Sequence, residues 1–260
     1  MLLRRVIEHV KTQNWTAIAI DFVIVVAGVF VGLQVQEWNA ARGHRAAEIG
    51  YLNSMEEDVV YSIGSLERMI ANMESQQTSR AALYEYSVDP GATLAPDVRD
   101  RLVGDALFYL PQLDINQVTF EALKSSGQLS AIGSPALVSR LQSLSSDVGS
   151  ALRFQADELQ VTYLFSDPIL VANIDMRGVF SQQRLGGQRP IPWLKDGPRP
   201  APTPAAMKTI PFGNVVLYRA FFTEARMASV RKILDQHRRI AELIDARQAA
   251  LGIAHDLRGT

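Results

Sequence analysis

One stretch constrains this chain more than any other. Residues 15–33 read WTAIAIDFVIVVAGVFVGL, with fifteen of nineteen hydrophobic and a single charge, Asp21. A helix needs about 20 mostly apolar residues to cross a bilayer core of roughly 30 Å. With residues 34–36 as an interfacial turn, the segment 15–36 meets that length and predicts a transmembrane helix. Trp15 and Trp38 bracket it, about 34 Å apart at 1.5 Å per residue. Each indole then falls near a headgroup layer, where aromatic belts form. Two other readings are weaker. A cleaved signal peptide has a shorter apolar core, of about 7–15 residues, and a small-x-small cleavage site, whereas this run continues into LQVQEWNAARG. A core helix of a soluble protein is apolar on one face, whereas Val and Ile occupy every face here.

The rest of the chain has a different composition. Of 260 residues, 47% are hydrophobic and 20% charged, with no cysteine. Without 15–33 the hydrophobic share falls to about 44%, that of an ordinary soluble domain. The absence of cysteine excludes a disulfide scaffold, a Cys-ligated zinc module and thiol chemistry. The formal net charge of -1 argues against a chain built to grip nucleic acid. Arg4, Arg5 and Lys11 precede the apolar run, and Arg42 and Arg45 follow it. By the positive-inside rule this small excess places the tail 1–14 in the cytoplasm and residues 37–260 outside it, the periplasm in a Gram-negative cell.

Within the anchor, Gly28 and Gly32 form a G-x-x-x-G pair, which allows two helices to approach closely. Asp21 lies roughly 9 Å inside Trp15. It is either a hydrated group near the interface or a polar contact to another helix. The lipid bilayer is thus the expected partner, with a homo-oligomer through the membrane helix or a membrane-protein partner as further options.

The stretch DFVIVVAGVFVGLQVQEWN, residues 21–39, resembles the N-terminal segment of a widespread bacterial family of unknown function, GEI-(apolar)-IGILIALQINNWNE. Asp21 stands where the family has Glu. Gly28, Leu33, Gln34, Trp38 and Asn39 match directly, Gly32 replaces Ala, and Gln36 and Glu37 replace an Asn pair. Downstream, VTFEALKSSGQLSAI is similar to the family's TF-(D/E)-x-L-x-SSG-x-L-x-x-I segment, through Thr119, Phe120, Ser125, Ser126 and Gly127. The resemblance covers about the first 150 residues. It implies an N-terminal anchor followed by a helical domain, and it implies no activity.

Beyond the anchor the periodicity stays helical. Ile49, Leu52, Met55, Val59, Ile63, Leu66, Ile70 and Met73 recur at spacings of three and four. Glu56, Glu57, Asp58 and Glu67 lie off this stripe and read as a solvated face. Asp89-Pro90-Gly91 breaks the helix. Pro96 opens a short helix that Pro111 closes. Asn116 or Thr119 caps the next, and Gly127 ends it. Ser134-Pro135 starts a second long helix with the stripe Leu137, Leu141, Leu144, Val148, Leu152, Leu159 and Tyr163, which Pro168 is expected to stop. Residues 176–212 hold seven of the twelve prolines and read as a long Pro/Gly-rich loop. Its alternating Pro198, Pro200, Pro202 and Pro204 suit an extended spacer better than a peptide-docking motif. A final long helix, 213–252, carries Leu217, Phe221, Met227, Val230, Leu234, Ile240, Ile244 and Leu251 on one face. Its seven basic residues, Arg219 and Arg226 among them, are expected to pair with the acidic first helix on the surface. The expected fold is all-α: one transmembrane helix followed by an antiparallel helical bundle.

No chemical motif stands out. His9, His44, His237 and His255 show no metal-binding spacing. There is no G-x-S-x-G elbow, no Rossmann fingerprint and no P-loop; the basic stretch RLGGQRP lacks phosphate-loop spacing. No catalytic, cofactor or metal residue is therefore expected. The favoured reading is a non-catalytic binding, assembly or scaffold component of a bacterial inner membrane. A sensor is the alternative, but about 14 residues before the anchor are too few for a signalling domain, so a sensor needs a partner protein. An enzyme built from scattered polar residues in a bundle cleft ranks third.

Overall fold

The computed structural model describes residues 15–182, 191–194 and 203–253. The tail 1–14, the basic stretch 184–190, three of the alternating prolines (Pro198, Pro200, Pro202), and His9 and His255 lie outside the described residues, as do the side chains of Trp15 and Asp21. No described residue is in a strand, and helix accounts for 84% of the described residues, so the chain is all-α. In order, the elements are α1 (Trp15–Val88), α2 (Pro96–Val103), a π-helical turn (Gly104–Phe108), α3 (Val118–Ser125), a 3-10 turn (Leu129–Ala131), α4 (Pro135–Val161), a second π-helical turn (Thr162–Ser166), α5 (Asp167–Asn173), α6 (Met176–Gln182), α7 (Thr203–Ala206) and α8 (Ile210–Ala250). The chain divides into two compact units, Met1–Tyr51 and Leu52–Thr260, and α1 contributes to both.

In the first unit the described part of α1 presents its apolar side chains outward. Phe22, Ile24, Val25, Val29, Phe30 and Leu33 are all more than half exposed. This is the one helix among the described residues that is long and apolar enough to cross a membrane.

The second unit rests on three long helices whose buried positions repeat every seven residues. On α1 these are Leu52, Val59, Leu66 and Met73, with Met55, Ser62, Met69, Gln76 and Leu83 forming the second row. On α4 they are Leu137, Leu144 and Ala151, with Leu141 and Val148. On α8 they are Val216, Val230 and Ile244, with Ile233 and Ile240. A heptad with two apolar rows keeps one seam facing the neighbouring helices. Polar contacts fix the directions. Arg231 pairs with Glu74 at 2.8 Å and Arg238 with Glu67 at 2.9 Å, and Gln248 Nε2 donates to Glu56 at 3.0 Å. Numbers rise on α1 as they fall on α8. On α4 Asp147 pairs with Lys232 and Glu158 with Arg219, so numbers there also rise as they fall on α8. Helix α8 therefore runs antiparallel to both. A second apolar core, with Leu83, Val103, Leu107, Leu170, Val179 and Phe212 among its members, closes one end of the bundle.

The caps follow local chemistry. Ser134 Oγ accepts from the Leu137 amide at 3.3 Å, with Pro135 in the first turn of α4. Helix α3 ends in a Schellman motif: the Gln128 amide donates to the Leu123 carbonyl and that of Gly127 to Lys124. The turn requires the left-handed φ of +71° that Gly127 adopts and that costs glycine nothing.

Five expectations differ from the structure. Arg219 and Arg226 do not pair with the first helix on the surface; they are buried against Glu158 of α4, because they fall on the inward seam of α8. Pro168 does not stop a helix; it sits in the first turn of α5, where a missing amide hydrogen is harmless. The span 176–212 is not all loop. It begins with α6, whose Val179 is fully buried and whose entry is fixed by Asp175 accepting from the Arg177 amide at 3.1 Å. Helix α8 also starts earlier, at Ile210, with Pro211 in its first turn. Finally, Leu152, Tyr163, Leu217 and Phe221 face outward. The π-helical turn shifts the face at Tyr163, and the other three lie beside the heptad seam rather than on it.

Candidate functional site

Residues expected to carry the anchor's contacts lie on exposed helix. Gly28 and Gly32 are exposed, and nothing approaches within 4 Å of a Cβ placed on either. Trp38 is exposed, with the Arg42 guanidinium 5.8 Å from its ring centroid; Gln34 and Asn39 are exposed on the same helix. Trp15 and Asp21 are helical. The residues of the family-like segment form α3 and its cap. Phe120 is buried, Ser125 and Ser126 donate to the Ala122 carbonyl at 3.1 and 2.8 Å, and Gly127 makes the turn. The Thr119 amide donates to Asp58 Oδ2 at 2.9 Å, tying α3 to α1. In this chain the SSG motif terminates a helix, and its residues do not converge on a cleft.

The structure brings together a different set. Continuing the heptads past their apolar part places charge on the seam. On α1 the residue seven after Met73 is Arg80; on α4 the residue seven after Ala151 is Glu158; on α8 the positions seven and fourteen before Ile233 are Arg226 and Arg219. All four are buried: Glu158 is 0% exposed, Arg80 1%, and Arg219 and Arg226 2% each. Three guanidiniums thus share one carboxylate, and Thr162, Gln76 and Thr223 complete a polar layer between the two apolar cores.

Bonding within this layer is uneven. Arg80 is well supplied by neutral acceptors, donating from Nε to the Ala106 carbonyl at 2.9 Å and from Nη1 to Gln77 at 3.1 Å. Arg219 Nη1 donates to Thr162 Oγ1 at 2.7 Å and lies 3.5 Å from Glu158 Oε1, while its Nε has no acceptor among the described residues. Arg226 Nη1 lies 3.0 Å from Glu158 Oε2. That is an ion contact without hydrogen-bond alignment, and no guanidinium nitrogen of Arg226 has a hydrogen-bond acceptor among the described residues. Burial lowers the pKa of Arg219 and Arg226 against the opposing pull of Glu158. Burial, and then the neighbouring charge of Arg219, push Arg80 down to about 9. Charge buried in a medium of low dielectric is costly unless it is fully paired.

Beside the layer lies a cavity of about 380 Å³ lined by both π-helical turns, through Leu107 and Phe108 of one and Thr162 and Tyr163 of the other. Arg219 lines it as well, and so does Asp167, whose carboxyl burial raises. A second, more apolar cavity of about 340 Å³ lies between Val161, Phe165 and Tyr218. Among the described residues no three His, Asp or Glu side chains are placed to hold a metal ion. His44 is exposed and His237 is buried, its Nδ1 at 2.8 Å from the Ile233 carbonyl. No protein-family model, curated protein or solved structure matches this chain.

Proposed function

We propose that this chain is a single-pass membrane protein whose helical domain is a non-catalytic binding or assembly component. In this reading residues 15–36 of α1 cross a bacterial inner membrane with the tail 1–14 in the cytoplasm and residues 37–260 outside it. The observation that carries the reading is the exposed apolar surface of α1. No residue of its most apolar window is buried. Leaving ten half-exposed Val, Ile, Leu and Phe side chains in water costs on the order of 10 kcal/mol, which a lipid environment removes. The excess of Arg4, Arg5 and Lys11 over Arg42 and Arg45 supports the orientation. The resemblance of 21–39 and 118–132 to a family of anchored helical proteins supports the compartment. Asp21 and the Gly28–Gly32 face would be where a second copy or another membrane protein meets the helix.

The test is extraction of membranes from expressing cells with alkaline carbonate, together with a topology reporter fused after Thr260. The chain is expected to stay in the membrane pellet and to activate a reporter that works only outside the cytoplasm. Release into the carbonate supernatant contradicts the anchor, and activity of a cytoplasm-only reporter contradicts the orientation.

A further inference from the structure

The charged layer has no balanced partner set of its own. Arg80, Arg219 and Arg226 are buried together, Glu158 is the carboxylate in contact with Arg219 and Arg226, and Asp167 stands at the cavity. A layer built for structure would close its hydrogen bonds, because a half-satisfied buried network is less stable than an apolar core. This one leaves donors of Arg219 and Arg226 without acceptors, and Arg219 lines an open cavity. The cavity walls come from two π-helical turns. Such turns disrupt regular helical hydrogen bonding and recur at functional sites. The walls combine apolar surface, from Leu107, Phe108 and Leu159, with a polar floor at Thr162 and Arg219. Its volume suits a small organic molecule.

We infer that this cavity binds a small organic anion, with a carboxylate or phosphate group on Arg219 and a compact apolar body against Leu107, Phe108 and Leu159. Arg80 and Arg226 supply the positive field behind the anion, and Arg219 offers planar donors suited to either oxyanion. The inference deepens the binding half of the function proposed above and is independent of the anchor, so its failure leaves membrane partition unchanged.

The test is calorimetric titration of the full-length protein in detergent with three probes: phenylacetate, phenyl phosphate and the neutral phenylacetamide. At least one anion is expected to bind about tenfold or more tightly than the amide, because the amide brings no charge to the guanidinium. The preferred anion tells a carboxylate site from a phosphate site. Arg219→Gln should weaken the preferred anion about tenfold or more with helicity unchanged. Leu159→Trp, which fills the cavity and leaves the charged layer intact, should abolish binding. Asp167→Asn, which removes a negative charge at the cavity, should tighten binding about threefold. Absence of binding by both anions at millimolar concentration overturns the proposal, as does equal affinity for phenylacetamide. If Arg219→Gln unfolds, the other two variants decide: undiminished binding in Leu159→Trp, or no tightening in Asp167→Asn, overturns it equally.

Discussion

Two parts of the three-helix bundle share one heptad and fill it with opposite chemistry. In one, Leu66, Met73, Leu137, Leu144, Ile240 and Ile244 occupy the seam and are almost wholly buried. In the other, between this core and the second apolar core, the same seam holds Arg80, Glu158, Arg219 and Arg226, buried just as deeply. The first set is stabilised by the transfer of apolar surface out of water. The second carries a desolvation cost that its few contacts only partly offset. Equal burial therefore does not mean equal purpose: the apolar part holds the helices together, and the charged part is kept for what it can hold.

Variants can break that contrast. The largest expected effect is at Glu158. Glu158→Ala leaves three guanidiniums without a carboxylate in the interior and should destabilise the domain by about 3–5 kcal/mol in denaturant unfolding. Leu66→Ala, in the apolar part, removes well-packed methyl groups and should cost about 2–5 kcal/mol by the same measurement. Unlike Glu158→Ala, it should leave anion affinity untouched.

A smaller effect belongs to His237, which sits on the α8 seam in the apolar part. The Ile233 carbonyl can only accept, so Nδ1 carries the proton and donates. Burial lowers the pKa of His237 below its ordinary 6.5, so the unfolded chain takes up a proton at a higher pH than the folded one. Its contribution to stability is then complete above about pH 6.5 and is lost as the pH falls from there toward the folded value. The midpoint of unfolding should decrease between pH 7 and pH 5, and His237→Leu should flatten that decrease. The smallest effect is expected at Arg238, whose bridge to Glu67 is half-exposed on both sides. Arg238→Ala should change stability by less than about 1 kcal/mol, and added salt should shrink the difference further.

Much of this contrast could be read in the residues, though not all of it. The spacing of Leu52, Met55, Val59, Leu66 and Met73 marked the α1 seam, and Ser134-Pro135 and Gly127 marked helix ends, because short-range chemistry dictates both. The charged layer was hidden because Arg219 and Arg226 occur in a helix with five other basic residues, and such a run reads as a solvated face. The signal was the heptad itself: counting on from Met73 reaches Arg80, from Ala151 Glu158, and back from Ile233 Arg226 and Arg219. The apolar residues of α8 point instead to Leu217 and Phe221, which lie one or two positions off the seam. The π-helical turns had no signal at all. Nothing in GDALF or TYLFS distinguishes an i→i+5 turn from an ordinary one. Pro168 is ambiguous in sequence, because proline ends one helix and begins the next by the same missing amide.

If the charged layer serves binding at the expense of stability, a layer as apolar as the rest of the seam should lose the first and keep the second, as in the quadruple variant Arg80→Met, Glu158→Leu, Arg219→Leu, Arg226→Met. Denaturant unfolding and anion titration would be measured on the same preparation. The variant is expected to be helical, as stable as the parent or more stable by about 1–4 kcal/mol, and no longer to bind phenylacetate or phenyl phosphate. A variant that loses several kcal/mol of stability, or that still binds the anion, contradicts this role of the layer.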